Sequence, residues 1–302
     1  VDSASISAAG SSPQQAAKVR ADLGGWTLGL GGTGFILIHL ACLTVFFTGV
    51  TWGDLLLCAL VYLSATLSIT IVFHRYFSHR TFKTTRAFQF VMAWFGCMAT
   101  QKGPLWWAAR HRHHHRTSDT DEDVHSPITH TIFMSHIGWI FQRDTTATDM
   151  EAVKDLARYP ELRLLNVLHW VPPACLAVAC YLIGGWGGLV WGFCVGTVLA
   201  YHATFLVNSA CHLWGKRRYA TTDRSRNNWW VALLTMGEGW HNNHHHYMSS
   251  ANQGFKWWEI DVSYYVICGL SVFGVVWDVR KPPRAKLLGK PTPRQAAKQA
   301  AS

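Results

Sequence analysis

The chain of 302 residues is 49% hydrophobic and only 15% charged, too apolar for an ordinary soluble domain yet with long polar segments. That mixture predicts a membrane protein with a sizeable aqueous portion. A formal charge of +10 fits anionic lipid or an acidic substrate on such a protein and argues against nucleic acid as a partner.

Residues 1–20, rich in Ser, Ala and Gln, lack the charged-then-apolar layout of a signal peptide and are expected as a flexible tail. Residues 21–281 form the membrane domain. The first span is expected at 25–47, almost wholly apolar and long enough to cross a hydrocarbon core of about 30 Å. Its GLGGTG has no preceding strand, so small-residue helix packing is the better reading than a dinucleotide loop. A second span, 55–73, runs directly into HRYFSH. The stretch 87–109 is apolar only in its first half and too short to cross twice, which needs about forty residues. It is expected along the interface or dipping and returning, with Trp106 and Trp107 at headgroup depth. Two more spans, 168–183 and 189–208, are joined by GGWGG. The last apolar run, 264–277, is too short to span. Residues 282–302, basic and rich in Pro, Ala and Gln, form a second flexible tail.

No lysine or arginine occurs from 21 to 74 or from 164 to 215, so both expected outer loops lack basic residues. Every basic residue falls on the other side, which the positive-inside rule assigns to the cytoplasm. The expected fold class is an all-α integral membrane protein with four transmembrane helices and both termini inside. The eight cysteines lie mostly in apolar runs without a CxxC pair and are expected as small buried hydrophobes.

Nine of the 17 histidines fall into spaced groups on that cytoplasmic side. His111, His114 and His115 share a helix face by their i, i+3, i+4 spacing, as do His241, His244 and His245. His74 and His79 are five apart, about 140° on an ideal helix, and are expected to grip from the end of a span as it turns. His212 follows the last span in NSACH. Nine imidazoles are too many for one ion with about four ligands. Two metals with four or five nitrogens each account for the number, and imidazole suits iron, zinc, copper or nickel alike. His113 and His246 interrupt the pattern and are expected outside the site. His39 and His202 are expected as hydrogen-bonded packing residues; His125, His130, His136 and His169, and the loop DTDED, supply outer partners or structural groups.

These residues resemble the membrane fatty acyl desaturases, the family of stearoyl-CoA desaturase and its bacterial relatives. HRYFSH resembles the HxxxxH box, HRHHH the HxxHH box and HNNHH the HNxHH box, with Asn208 and His212 matching the pair after the last span. The resemblance implies a cytosolic helical cap holding a di-iron centre. One iron would be held by His74, His79, His111, His115 and His244. The other would be held by His114, His212, His241 and His245, with Asn208 reaching it through water. It also implies that dioxygen and two external electrons remove two hydrogens from an acyl chain, leaving a cis double bond, most often at the ninth carbon.

Carbons in a saturated chain are electronically alike, so the bond's position is a measuring problem for an apolar tunnel. Trp94, Trp106, Trp107, Trp139 and Trp240 are the expected walls. Lys102 and Arg110 are expected at the substrate's polar end. The segment QKGPLWWAAR departs from the acyl-CoA enzymes, which leaves CoA thioester, carrier-protein thioester and acyl lipid open as substrate. A separate donor is expected for the electrons: ferredoxin, rubredoxin, or a b-type cytochrome with its reductase. The expected location is a bacterial inner membrane. Hydroxylation or oxidative decarboxylation on the same scaffold is the nearest alternative. A histidine-rich transporter or sensor is disfavoured, because the ligand groups sit at span ends rather than at the midplane.

Overall fold

A computed structural model describes residues 29–142 and 147–289. The expected tail at 1–20, the first residues of the 25–47 span and residues 290–302 lie outside them.

Helix α1 (Leu30–Cys42) continues through the one-turn helix Val45–Thr48, and the chain reverses at Gly49 into α2 (Trp52–Leu67). Thr51 fixes that start. Its hydroxyl accepts the Asp54 N–H at 3.2 Å while the Asp54 carboxylate accepts the Thr51 N–H at 2.9 Å, satisfying two amides that a helix start leaves unpaired. The helix therefore begins before the expected residue 55. It then passes without a break into a wide-turned π segment, Ser68–Ser78, every residue of which is buried.

Strand β1 (Lys83–Thr84) pairs antiparallel with β2 (Val276–Trp277), fastening the residues after His79 to the far end of the chain. Between them lie α3 (Arg86–Met98) and α4 (Pro104–Thr117). Asn166 caps α4 from another helix: its side-chain oxygen accepts the N–H groups of Leu105 and Trp106 at 3.1 and 2.9 Å. A Cβ at Gly103 would stand 2.6 Å from the Asn166 backbone, so this approach requires glycine.

The expected third and fourth spans form one helical run, Val171–Leu213, made of α5 (Val171–Gly187), a wide-turned stretch Gly188–Val195 and α6 (Gly196–Leu213). At Gly185 the backbone is left-handed, with φ +60° and ψ −144°. Gly188 lies against the Cys180 carbonyl, eight residues back, so the run is folded on itself rather than straight. Among the described residues three helices are long and apolar enough to cross a membrane: Gly31–Thr48, Trp52–Ser78 and Val171–Leu213. Their outward faces carry Phe47, Leu60, Leu182 and Trp186 fully or largely exposed, a surface that water would penalise and lipid would not.

Beyond the spans come α7 (His241–His246) and α8 (Val262–Val272), the latter apolar but 11 residues long. The core sits where the π segment meets α3 and α4: Phe73 and Phe77 pack with Met92, Leu105, Leu156 and Leu162. From residue 282, where a tail was expected, the short helix Arg284–Leu288 lies against the body. There the Tyr219 hydroxyl donates to the Leu287 carbonyl at 3.1 Å.

Candidate metal centre

The π segment brings its two histidines together. The amide of His79 donates to the carbonyl of His74 at 3.2 Å, a five-residue bond, and the two rings lie 4.9 Å apart. On α4 the shared face is divided between two sites: His111 and His115 turn one way, and His114 turns the other. On α7, His244 joins the first pair while His241 and His245 join His114.

Two groups of nitrogens result, each with its ligand atoms within 4.8 Å of one another. The first holds His74, His79, His111, His115 and His244; the second holds His114, His212, His241 and His245. They adjoin, with the His115 and His245 rings 4.4 Å apart. In the first group the Nε2 atoms of His74 and His244, His244 and His115, His115 and His111, and His111 and His79 each stand 2.9 Å apart. In the second, His212 Nε2 and His241 Nε2 are 3.1 Å apart.

Carboxylates fix the rings from behind. His114 Nδ1 is 3.0 Å from Asp123, His212 Nδ1 is 3.0 Å from Asp119, His245 Nδ1 is 2.5 Å from Asp223 and His74 Nδ1 is 2.5 Å from Glu238. Each carboxylate holds the N–H on Nδ1 and leaves a lone pair on Nε2, the tautomer a metal ligand needs. Glu238 is itself gripped by the fully buried Arg75, whose other arm meets Asp261 at 2.9 Å. Asn242 and Asn243, both fully buried, brace α7 from the opposite side. Asn242 Oδ1 accepts the amides of Arg218 and Tyr219 at 2.7 Å, and Asn243 Nδ2 donates to Glu259 at 2.9 Å.

Electrostatics agree with that arrangement. Burial, and after it the neighbouring imidazoles, holds His79, His111, His115, His241 and His244 well below the usual histidine range, so all five are neutral. Burial also opposes charge on His114, but Asp123, Asp223 and Asp119 together outweigh it and raise the pKa. Burial would raise Asp123 and Asp223, yet His114 and His245 hold both far below the carboxylate range.

A ring nitrogen carries either a proton or a lone pair, so the run of four 2.9 Å contacts through shared Nε2 atoms cannot be hydrogen bonds throughout, whereas a cation among them would satisfy every one. Ligands at right angles around one ion with bonds of about 2.1 Å sit about 3 Å apart, which is the spacing in the first group. In the second, the Nε2 atoms of His114 and His245 are buried without a hydrogen-bond partner. An all-imidazole donor set of this kind fits iron as well as zinc or copper.

A groove runs beside both groups and past α1 and α6. Asn208, Trp106, Trp107, Trp139, Lys102 and Arg110 line it together with His74, His111, His114 and His241. Trp107 stacks on His111 at 4.9 Å and donates its indole N–H to Gln101 at 3.3 Å; Gln101 in turn donates to Thr204 at 3.2 Å across the groove. Lys102 Nζ lies 4.4 Å over the Trp106 ring, its pKa pushed down to about 8 by burial and by Arg110. Two expected walls are elsewhere. Trp94 packs against the hydrophobic core and is absent from the groove's lining. Trp240 lines a different groove and donates to the Ile260 carbonyl at 2.8 Å.

His39, His202 and His136 form a hydrogen-bonded row ending on Ser209. His113 and His246 contact backbone carbonyls away from both clusters. Sequence reasoning singled out the DTDED loop, which supplies Asp119 and Asp123, but missed Glu238, Asp223, Arg75, Asp261 and Gln253, whose side-chain amide donates to Glu238 at 3.1 Å. Glu238 had a signal, standing three residues before His241; Asp223 and Asp261 had none, since their partners are distant in the chain.

The sequence profile of the family described as fatty acid desaturase matches residues 50–261. A chloroplastic palmitoyl-monogalactosyldiacylglycerol delta-7 desaturase of Arabidopsis thaliana is 43% identical over 223 residues, 73% of this chain and 60% of that protein. Delta-9 acyl-lipid desaturase 1 of Arabidopsis thaliana is 36% identical over 256 residues, 83% of each. An acyl-CoA C20 delta5-desaturase of Anemone leveillei is 38% identical over 249 residues, 81% of this chain and 79% of that protein. The chain spans less than two thirds of the first of these and more of the other two. They are plant proteins, so the expected bacterial inner membrane draws no support from them. The chain belongs to the fatty acid desaturase family.

Proposed function

We propose that this member of the fatty acid desaturase family introduces a cis double bond, at the ninth carbon, into a saturated acyl chain. The observation that carries the reading is the pair of imidazole groups, five and four strong, beside a largely apolar groove. His74, His79, His111, His115 and His244 would hold one iron, and His114, His212, His241 and His245 the other, with Asn208 reaching it through water. Two irons there supply, with dioxygen, the oxidising power that cleavage of an unactivated C–H bond demands. Two hydrogens leave the chain, and dioxygen becomes two waters with two electrons and two protons from outside. A separate carrier, whether ferredoxin, rubredoxin or a b-type cytochrome with its reductase, brings the electrons.

The protein's own part is to measure and to exclude water. Trp106, Trp107 and Trp139 wall the chain; the Trp107–Gln101–Thr204 hydrogen bonds fix the groove's width beside His111; Lys102 and Arg110 meet the polar end of an acyl lipid or thioester. We place four crossings in the membrane, Val171–Leu213 passing twice by its reversal at Gly185, with the histidine side and both ends of the chain in the cytoplasm.

Expression in a host of simple lipid profile, followed by mass-spectrometric mapping of double bonds, tests this. A new cis-monounsaturated chain, absent with His114→Ala or His244→Ala, is expected. Gain of oxygen, or loss of carbon dioxide without a new double bond, would assign hydroxylation or decarboxylation instead.

A further inference from the structure

A second groove runs past Trp240, the residue that precedes His241. Trp214, Trp229, Trp230 and Trp258 line it together with Lys216, Arg217 and Arg218. Its floor is backbone, Lys216 and Asn227 exchanging N–H to carbonyl bonds at 2.9 and 2.8 Å. Trp214 directly follows the last spanning run, and Trp229 opens the short helix Trp229–Leu234. Tyr62 of the span Trp52–Ser78 donates to the carbonyl of Leu234 at 2.6 Å, so that short helix rests on a spanning helix. Leu233 and Trp229, 67% and 69% exposed, face outward from it. One end of the groove is therefore apolar and level with the spans, and indoles mark the boundary.

The other end is positive. Arg218 is paired with Glu259, the one carboxylate on the lining, while Arg217 donates to the uncharged carbonyls of Thr221 and Asp223. Lys216 is exposed. Three cations against one carboxylate leave the polar end with an excess of positive charge directly above an apolar wall, a shape complementary to an anionic amphiphile.

We infer that this groove binds an anionic membrane phospholipid, its phosphodiester at Lys216 and Arg217 and its acyl chains along Trp214, Trp229 and Leu233. The inference rests on the membrane reading above. It adds a lipid that is not substrate, held beside the loop that carries Asp223.

The test takes the full chain, reconstituted first into phosphatidylcholine vesicles and then presented in mild detergent with equal phosphatidylglycerol and phosphatidylcholine. Native mass spectrometry counts the lipid retained. Phosphatidylglycerol should be retained preferentially, and Lys216→Glu should cut that preference about fivefold or more. Lys83→Glu, an exposed cation paired with Asp278 away from the groove, should leave it unchanged. Trp229→Ala should lower retention of both lipids. Equal retention by the unaltered protein, or equal losses with Lys216→Glu and Lys83→Glu, would overturn the site while leaving the membrane reading intact. Failure to insert into vesicles would overturn that reading first. Displacement of phosphatidylglycerol by one equivalent of an acidic electron-carrier protein would give the groove to a protein partner and also overturn the lipid assignment.

Discussion

His79 donates its backbone N–H to the His74 carbonyl at 3.2 Å, and this single five-residue bond turns an awkward spacing into a ligand pair. In an α-helix the two rings would point about 140° apart. The π turn brings them edge to face, 4.9 Å apart, at the cost of poorer hydrogen-bond geometry that the surrounding core must offset. Inserting one alanine between Phe77 and Ser78 should swing His79 out of the first cluster. Metal bound per chain, measured by plasma mass spectrometry, should fall by about half as the five-ligand site loses a donor while the four-ligand site stays whole. Unchanged metal content would mean that His79 is dispensable.

The carboxylates behind the rings should matter nearly as much as the rings. Asp123→Asn and Asp223→Asn remove the charge that holds His114 and His245 in their tautomer and orientation. Metal affinity or activity should drop by roughly 10–100-fold for each. Chelator competition reads this directly, and wild-type affinity in either variant would exclude the role.

Arg75 is wholly buried between Glu238 and Asp261. Arg75→Met strands two carboxylates without their cation and should destabilise the fold by about 3–5 kcal/mol. Arg75→Lys should rescue little, because a point charge cannot replace the two-armed fork. Thermal unfolding in detergent would measure both; a variant melting with the parent would refute this account.

Stability of the metal-free protein should depend on pH in a defined direction. His79, His111, His115, His241 and His244 have folded pKa values depressed below the ordinary value of about 6.5, so below that pH the unfolded chain binds more protons. Their contribution is complete above pH about 6.5 and is lost as pH falls through the folded values. His114, with its raised pKa, acts in the opposite sense but is one against five. The melting temperature should therefore fall between about pH 7 and pH 5. A flat profile over that range would contradict the neutral-imidazole arrangement.

Gln101 ties Trp107 to Thr204 across the groove. Gln101→Leu loses both bonds, worth about 1 kcal/mol each, and frees the indole that stacks on His111. Turnover should slow by up to about tenfold, with the new double bond spread over neighbouring positions rather than at one. Isomer analysis of the product decides this, and a single unshifted isomer would show that the bridge does not set the register.

The sequence by itself determined the membrane class and the nine histidines that gather, because apolar run length and i, i+3, i+4 spacing are local properties. It also indicated the DTDED loop as a source of outer partners. The division of His114 from His111 and His115 was implied by the family resemblance and not by their spacing, and the tertiary structure gives its reason: a helix wedged between two clusters offers each only part of its face. The tertiary structure alone recruited Asp223 and Asp261, whose partners lie up to 186 residues away and leave no periodic trace, and it set Glu238, close to His241 in the sequence, behind His74. It sent Trp94 to the core and Trp240 to another groove, because a tryptophan's surroundings depend on which helix packs against it. And it made His74 and His79 neighbours through a π turn, a backbone choice fixed by the packing around Ser68–Ser78 rather than by the spacing of two histidines.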